Sequence, residues 1–368
     1  MSVPSVLVNM LWCVPGRVGG SEEYLVRQLL GLSELPEPRW RPTVAVARGF
    51  AAAHPELVAV ADVVEPSFDT GRRVRRIVGE STWLRQHSKG VALVHHGGGT
   101  APVSAHRPYV LTIHDLQFRT YPQYFSRLKR AYLGAVIAPS ARHATVVAVP
   151  SEYVRDSVVR AYGVDADRVM IVPHGIEPAV ATEVTPADEL RQRYALGEGP
   201  ILVYPAVTHP HKQHQFLLEM MRDHWCDPEL RLVLTGGEGL AHAAVAACTD
   251  PRVLRLGRVP AADRNGLLAM AEAMVFPSQY EGFGAPLIEA MTLGAPVVCS
   301  DATCMPQIVG DAGLVRPLLP EAWAGVLAEV RSRREELVTA GHRRAADFTS
   351  RASGAALAAV YARALGLS

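Results

Sequence analysis

The chain has 368 residues, 49% hydrophobic and 20% charged, with a formal net charge of +1. That length suggests about two domains, the composition is that of a folded rather than a disordered chain, and the near-neutral charge names no nucleic acid as partner. The five cysteines, Cys13, Cys226, Cys248, Cys299 and Cys304, form no C-x-x-C pair, which fits reduced core thiols in a cytoplasmic protein. No cationic stretch followed by a long apolar one opens the sequence, and no run of about 18 apolar residues occurs, so neither a signal peptide nor a membrane span is expected.

Residues 5–10 (SVLVNM) are continuously apolar, the pattern of a parallel strand covered on both faces. Residues 11–20 form a loop ending in Gly19-Gly20. Ser21 is placed to cap a helix in which Tyr24, Leu25, Gln28 and Leu29 recur at helical spacing. Strand, glycine loop and helix is a phosphate-cradling plan, although this loop is not the G-x-G-x-x-G of dinucleotide folds. Residues 43–47 and 57–64 read as further strand material. Residues 71–90 are basic, through Arg72, Arg73, Arg75, Arg76, Arg85 and Lys89. Such a run is either a solvated helix face or a contact with an anionic acceptor or membrane surface. Residues 91–94 predict a strand opening into His95-His96-Gly97-Gly98-Gly99, a flexible turn. The strand at 109–113 ends in His114-Asp115, a polar pair where open α/β sheets bind ligands. Residues 145–150 and 169–172 are strands flanking a helix capped by Ser151. Asp165-Ala166-Asp167, superficially a D-x-D metal motif, falls in a turn.

Residues 176–186 lack apolar periodicity and read as a linker, with a helix start at 185–188. The strand at 201–204 leads into a loop with His209, His211, Lys212 and His214. These histidine spacings do not match a standard zinc site, and Lys212 at a helix start suits a phosphate better. Strands at 232–235 and 253–256 run into Gly236-Gly237-Glu238-Gly239 and Gly257-Arg258-Val259. Residues 320–368 are rich in Ala, Leu and Arg and read as helical.

The densest chemistry lies at 274–300, MVFPSQYEGFGAPLIEAMTLGAPVVCS: a strand, a loop with Glu281, Gly282, Phe283 and Gly284, a helix with Pro286 in its first turn, and a second strand. Glu281 and Glu289 flank the helix N-terminus, whose N–H groups and partial positive charge suit a phosphate. Glycines let the backbone approach a ligand closely. The pattern suits a polyol phosphate, with carboxylates on hydroxyls and N–H groups on the anion.

This stretch resembles the EGFG-x-P-x-x-E signature of retaining glycosyltransferases of family 4, in particular bacterial, actinobacterial-type α-mannosyltransferases. The likeness spans nearly the whole chain, through His114-Asp115 with residues 116–133, the run P-S-E … Y-G-V … V-P-H-G-I, the L-G-x-V turn at 256–259 and a closing segment at 300–313. It implies a GT-B fold: α/β, two doubly wound Rossmann-like domains facing a central cleft. The division would be 1–178 on the acceptor side and 179–350 for the nucleotide sugar, with a final helix at about 350–368 crossing back.

Residue by residue, the resemblance implies Gly19 and Gly20 at the donor diphosphate and His114 at the sugar and leaving phosphate. Lys212 would neutralise the diphosphate, and Gly257, Arg258 and Val259 would sit at the nucleobase. Glu281, Gly282, Phe283 and Gly284 would hold the sugar, and Glu289 the ribose. The family often adds an arginine five or six positions before the lysine; Ala206 and Val207 stand there, leaving Arg258, Thr208 or a histidine to substitute. The implied reaction is retaining hexosyl transfer by same-face attack, without metal or other cofactor. The expected donor is GDP-mannose, with UDP-glucose, UDP-N-acetylglucosamine and dTDP-sugars open. The acceptor would be a mannose oligosaccharide or a lipid-linked glycoside, the latter met through residues 71–90 at the inner membrane face. A nucleotide-sugar 2-epimerase, a non-catalytic sugar-nucleotide sensor and a homo-oligomer also stay open.

Overall fold

The computed structural model describes residues 4–16, 20–36 and 40–367. Contacts divide the chain into two units, Met1–Gly175 with Thr349–Ser368, and Ile176–Phe348. Both are built on wholly parallel sheets. The first carries β1 (Val6–Met10), β2 (Thr43–Val46), β3 (Asp62–Val64), β4 (Leu93–His96), β5 (Tyr109–Thr112), β6 (Val146–Val149) and β7 (Val169–Ile171), in the order β3-β2-β1-β4-β5-β6-β7. The second carries β8 (Ile201–Pro205), β9 (Arg231–Thr235), β10 (Val253–Gly257), β11 (Ala273–Phe276), β12 (Val297–Ser300) and β13 (Leu314–Arg316), in the order β10-β9-β8-β11-β12-β13. Every residue of β1, β4, β5 and β6 is buried, as a sheet with helices on both faces requires. This explains the apolar runs of the sequence.

In each sheet the winding reverses once, between β1 and β4 and between β8 and β11. Loops leaving the C-terminal ends of two such strands diverge around a crevice, where doubly wound sheets take ligands. In the second unit those are the loop after β8, holding Lys212, and the loop after β11, holding Glu281.

Three local expectations are corrected. Residues 57–64 are not one strand: a helix spans Pro55–Val60 before β3. Pro55 opens it, and the buried Leu57 and Ala61 are four apart, a helical rather than an alternating period. Ser21 lies inside the helix Gly20–Ser33 rather than capping it. His95 and His96 belong to β4 rather than to the turn; Gly97 and Gly98 do form the expected turn, and it is closely packed. A Cβ on Gly97 would come within 2.5 Å of Leu25 Cδ1, and one on Gly98 within 2.5 Å of Trp12 Cδ1.

The last helix, Ser350–Leu365, completes the first unit's core: Leu357, Val360 and Tyr361 pack among Val8, Tyr24 and Leu29. It crosses the Gly20–Ser33 helix where two glycines meet. A Cβ on Gly31 would lie 1.8 Å from the Ser350 carbonyl oxygen, and one on Gly354 would lie 2.1 Å from the Gly31 carbonyl carbon. Thr349 caps this helix by accepting from the Ala352 amide at 3.1 Å, and Ser353 Oγ donates to the Pro173 carbonyl at 2.6 Å. Among the described residues no helix is long and apolar enough to cross a membrane.

Candidate functional site

The site in the second unit starts from how two loops are tied. Pro210–Lys212 is a single 3₁₀ turn, and Gln213 follows it with φ of 55°. The buried Tyr204 hydroxyl donates to the Lys212 carbonyl at 2.6 Å and lies 3.2 Å from Ser278 Oγ. The Gln279 amide donates to the His211 carbonyl at 2.8 Å. With the two backbones joined, Lys212 Nζ reaches Glu281 Oε1 at 2.5 Å. The lysine and carboxylate side chains are 18% and 13% exposed, so the pair is shielded yet open to a ligand. Lys212 Nζ also stands 5.4 Å from the Phe276 ring centroid.

The Glu281 loop is pinned from the other side. Its amide donates to Thr303 Oγ1 at 3.1 Å, and Cys304 Sγ donates to its carbonyl at 3.4 Å. Thr303 adopts φ of 56°, an uncommon conformation for a β-branched residue. Burial, and then the charge of Glu281, push the Cys304 thiol well up, so it is a neutral donor and not a nucleophile. Neither Thr303 nor Cys304 carries a motif by which the sequence could have announced it.

Gly284 takes φ of 85° and starts the helix Ala285–Thr292, with Pro286 in its first turn. Phe283 is buried, its ring edge-on to Phe348 at 5.5 Å, and Gly282 is half-buried. Glu289 is 4% exposed, and Arg264 Nη2 approaches its Oε2 at 3.7 Å. Arg264, on the helix Ala261–Ala269, was missed because its register places it beside Glu289 only in three dimensions.

Gly257 ends β10 with φ of 67°, and its carbonyl accepts from the Gly236 amide at 2.7 Å. The exposed Arg258 lies against the next turn, its Nε 3.1 Å from where a Gly237 Cβ would be. Gly237 accepts from the Thr208 amide at 3.1 Å, and Thr208 Oγ1 accepts from the Gly239 amide at 2.7 Å. Arg258 and Thr208 are thus joined to one glycine turn, beside the loop that carries Lys212. Val259 is half-buried next to them. His209 and His211 stack at 5.7 Å without converging on His214. Burial, with Lys212 next in size, lowers His211 to about 3; burial above all lowers His214 to about 4. Among the described residues no group of three His, Cys, Asp or Glu is arranged to hold a metal ion. At the D-x-D sequence, Asp165 Oδ1 accepts from the Asp167 amide at 3.1 Å, an ordinary turn.

His114 and Gly20 belong to the first unit; Gly19 lies outside the described residues. His114 Nε2 donates to the Gly97 carbonyl at 2.7 Å, which leaves Nδ1 as the ring's acceptor. Trp12 and Tyr24 flank the ring at 5.7 and 5.4 Å. Asp115 Oδ1 accepts from the Gln117 amide at 2.8 Å. Gly20 is the exposed first residue of its helix.

Burial lowers His95 to about 3 and His96 and His114 to about 4. The unfolded chain, with histidines near 6.5, therefore takes up protons first as the pH falls. Stability should be full above pH 6.5 and fall through the window down to about 4, by about 1.4 kcal/mol per pH unit for each such histidine. Urea midpoints measured from pH 7 to pH 4 check this; a flat profile would contradict it.

Two family profiles match. "Glycosyltransferase Family 4" covers residues 18–180, and "Glycosyl transferases group 1" covers residues 199–333. O-antigen chain mannosyltransferase B of Escherichia coli is 31% identical over 217 residues, 56% of this chain and 56% of that protein. D-inositol 3-phosphate glycosyltransferase of Jonesia denitrificans is 31% identical over 227 residues, 55% of this chain and 53% of that protein. The match therefore spans little more than half the length of these relatives. Among solved structures, HepE of Anabaena in complex with UDP and glucose superposes with a TM-score of 0.75 at 18% identity, over 98% of this chain and all of that one. Each unit carries one of the two glycosyltransferase domains on a parallel Rossmann-like sheet, and the chain belongs to glycosyltransferase family 4, with the GT-B fold.

Proposed function

We propose that this chain moves a hexose from a nucleotide sugar to a carbohydrate acceptor. The observation that carries the reading is the shielded Lys212–Glu281 pair at the switch point of the second sheet. A lysine there meets a diphosphate, and a carboxylate grips sugar hydroxyls. Glu289 accepts from the ribose hydroxyls with Arg264 steadying its charge, and Arg258 stands in for the arginine absent at 206 and 207. Gly257 and Val259 line the base, and Gly282, Phe283 and Gly284 supply backbone to the sugar. In the first unit, the roles proposed are phosphate contact for Gly20, at the exposed start of its helix, and sugar contact for His114.

The anomeric C–O bond breaks with its electron pair going to the phosphate oxygen. The acceptor hydroxyl oxygen bonds the anomeric carbon on the same face and passes its proton to the departing phosphate, giving an α-linked product with retention and a nucleoside diphosphate. Fixed cations aimed at the developing charge make the main contribution, and the step uses no metal.

The E. coli relative's name favours mannose, hence GDP-mannose as donor and a mannose oligosaccharide as acceptor. The HepE complex favours a second reading, UDP-glucose. A thermal-shift panel with GDP, UDP, dTDP and ADP, each with and without EDTA, separates them. A bound nucleotide at a hundredfold excess over its Kd adds about 2.7 kcal/mol. Stabilisation by GDP alone, unaffected by EDTA, is the expected result. Stabilisation by UDP alone moves the donor to UDP-glucose, an EDTA-sensitive shift removes metal independence, and no shift with any nucleotide ends the donor-site reading.

A further inference from the structure

The residue before Arg264 is a buried carboxylate. Asp263 is 2% exposed. Thr185 Oγ1 donates to its Oδ1 at 2.6 Å, Arg193 Nη1 donates to both oxygens at 2.7 Å, and the Tyr194 hydroxyl donates to Oδ2 at 2.5 Å. Burial works against the charge, but the hydrogen bonds from Thr185, Tyr194 and Arg193 outweigh it and hold the carboxyl below its ordinary value. Asp263 is therefore an ionised group enclosed in the second unit, with these three donors converging on it from residues 185–194.

Residues 183–190 of the same stretch also hold the neighbours of Asp263 on the helix Ala261–Ala269. The Thr185 amide donates to the Ala262 carbonyl at 3.0 Å, and Asn265 Nδ2 donates to the Glu183 carbonyl at 3.0 Å. A Cβ on Gly266 would lie 2.3 Å from the Thr185 carbonyl oxygen and 2.6 Å from Leu190 Cδ1. Successive helical residues are turned by about 100°, so 262, 263, 265 and 266 share one side of the helix and Arg264 is left on the other. On that other side Arg264 Nη2 stands 3.7 Å from Glu289 Oε2. Bonds of its own do little to fix the guanidinium. Nη2 donates to the adjacent Asn265 Oδ1 at 3.3 Å, and the buried Nε has no hydrogen-bond partner among the described residues. Its position follows the rotation of the helix, and the clamp on the opposite side sets that rotation.

Packing alone does not call for a charge at this position. An apolar side chain of similar size would join helix and segment without the desolvation that a buried ionic cluster costs. What convergent donors add is a single register, since Thr185, Arg193 and Tyr194 all reach the carboxylate at one rotation of the helix. We infer that Asp263 is a positioning residue for the ribose of the bound nucleotide. It fixes the helix so that Arg264 stands beside Glu289 and holds that carboxylate ready for the ribose hydroxyls. The inference rests on the reading of Glu289 as the ribose carboxylate. It extends the donor site to Thr185, Arg193 and Tyr194, which follow shortly after the chain enters the second unit at Ile176.

Calorimetric titration of the full chain with GDP and UDP, and with 2′-deoxy-GDP and 2′-deoxy-UDP, tests this. The quantity read is the ratio of the deoxy Kd to the ribo Kd for the base that binds. The unmodified chain should prefer the ribonucleotide by about tenfold or more, the worth of a hydrogen bond to a charged group. Asp263→Asn removes the charge, and Thr185→Val with Tyr194→Phe removes two of the donors while keeping the carboxylate. Each should bring the ratio down to about threefold or less. In an Arg264→Met chain the same substitutions should lower it no further. Melting by circular dichroism verifies folding, and the Thr185 and Tyr194 pair carries the test if Asp263→Asn does not fold. A general loosening of the unit would weaken both nucleotides alike and keep the ratio; an unchanged ratio overturns the inference. A chain that binds nucleotide without preferring ribose takes the ribose role from Glu289, and a chain that binds none ends the donor-site reading; the inference falls with either.

Discussion

Lys212→Met is expected to slow sugar transfer by about 10² to 10³-fold, the range found when one preorganised donor to a developing anion is removed. The same substitution also has a structural consequence that can be separated from the chemical one. Lys212 and Glu281 neutralise each other across 2.5 Å in a mostly shielded position. Removing only the lysine strands the carboxylate, at a cost of about 2 to 3 kcal/mol, between the surface and buried limits for such pairs. Glu281→Gln alone strands the ammonium in the same way. The double variant Lys212→Met, Glu281→Gln removes both charges, so it should recover most of the lost stability and stay inactive. Urea midpoints and initial rates of the four proteins form a double-mutant cycle. Transfer restored in the double variant would make the pair a structural tie and remove it from the site.

The second large effect concerns the helix crossing in the first unit. Gly354→Ala places a Cβ 2.1 Å from the Gly31 carbonyl carbon, and that neighbour is backbone, which no rotamer change can move. The helices must separate, and the core formed by Leu357, Val360 and Tyr361 with Val8 and Tyr24 opens with them. A loss of about 3 kcal/mol or more is expected. Gly134→Ala is the matched control. Gly134 is exposed in the helix Arg127–His143, and a Cβ there meets nothing within 4 Å. It should raise stability by about 0.5 to 1 kcal/mol. Equal melting of Gly354→Ala and the unmodified protein would refute the close crossing.

What the sequence could disclose follows from how local each signal is. The apolar runs of β1, β6 and β12 reflect burial on both faces, a property written into consecutive residues. Glu281, Gly284, Pro286 and Glu289 were legible because one loop and one helix hold them all within nine positions. Lys212 could be nominated, but its partner lies 69 residues away, and only the pairing of β8 with β11 brings the two together. Thr303, Cys304 and Arg264 were illegible for the same reason. Residues 57–60 misled because a short apolar run has no period of its own, and Pro55 decided the matter for helix. Gly97 and Gly98 looked like flexibility, since a sequence does not tell a glycine that bends from one that makes room for Trp12 and Leu25.

The return of the last helix to the first unit also sets an order of assembly during synthesis. Residues 176–348 are contiguous and can close as soon as they are made, whereas the first unit lacks part of its core until residues 349–368 arrive. At ribosomal speeds of about 5 to 20 residues per second, the amino-terminal half waits roughly 10 to 40 seconds for its final helix. The half translated first is thus the half finished last, and for that interval it presents the bare surface around Gly31 to chaperones and proteases. A chain terminated at residue 348 fixes that interval permanently. It should yield a protease-resistant fragment from 176–348 and degraded 1–175, and equal survival of both halves would argue against this order.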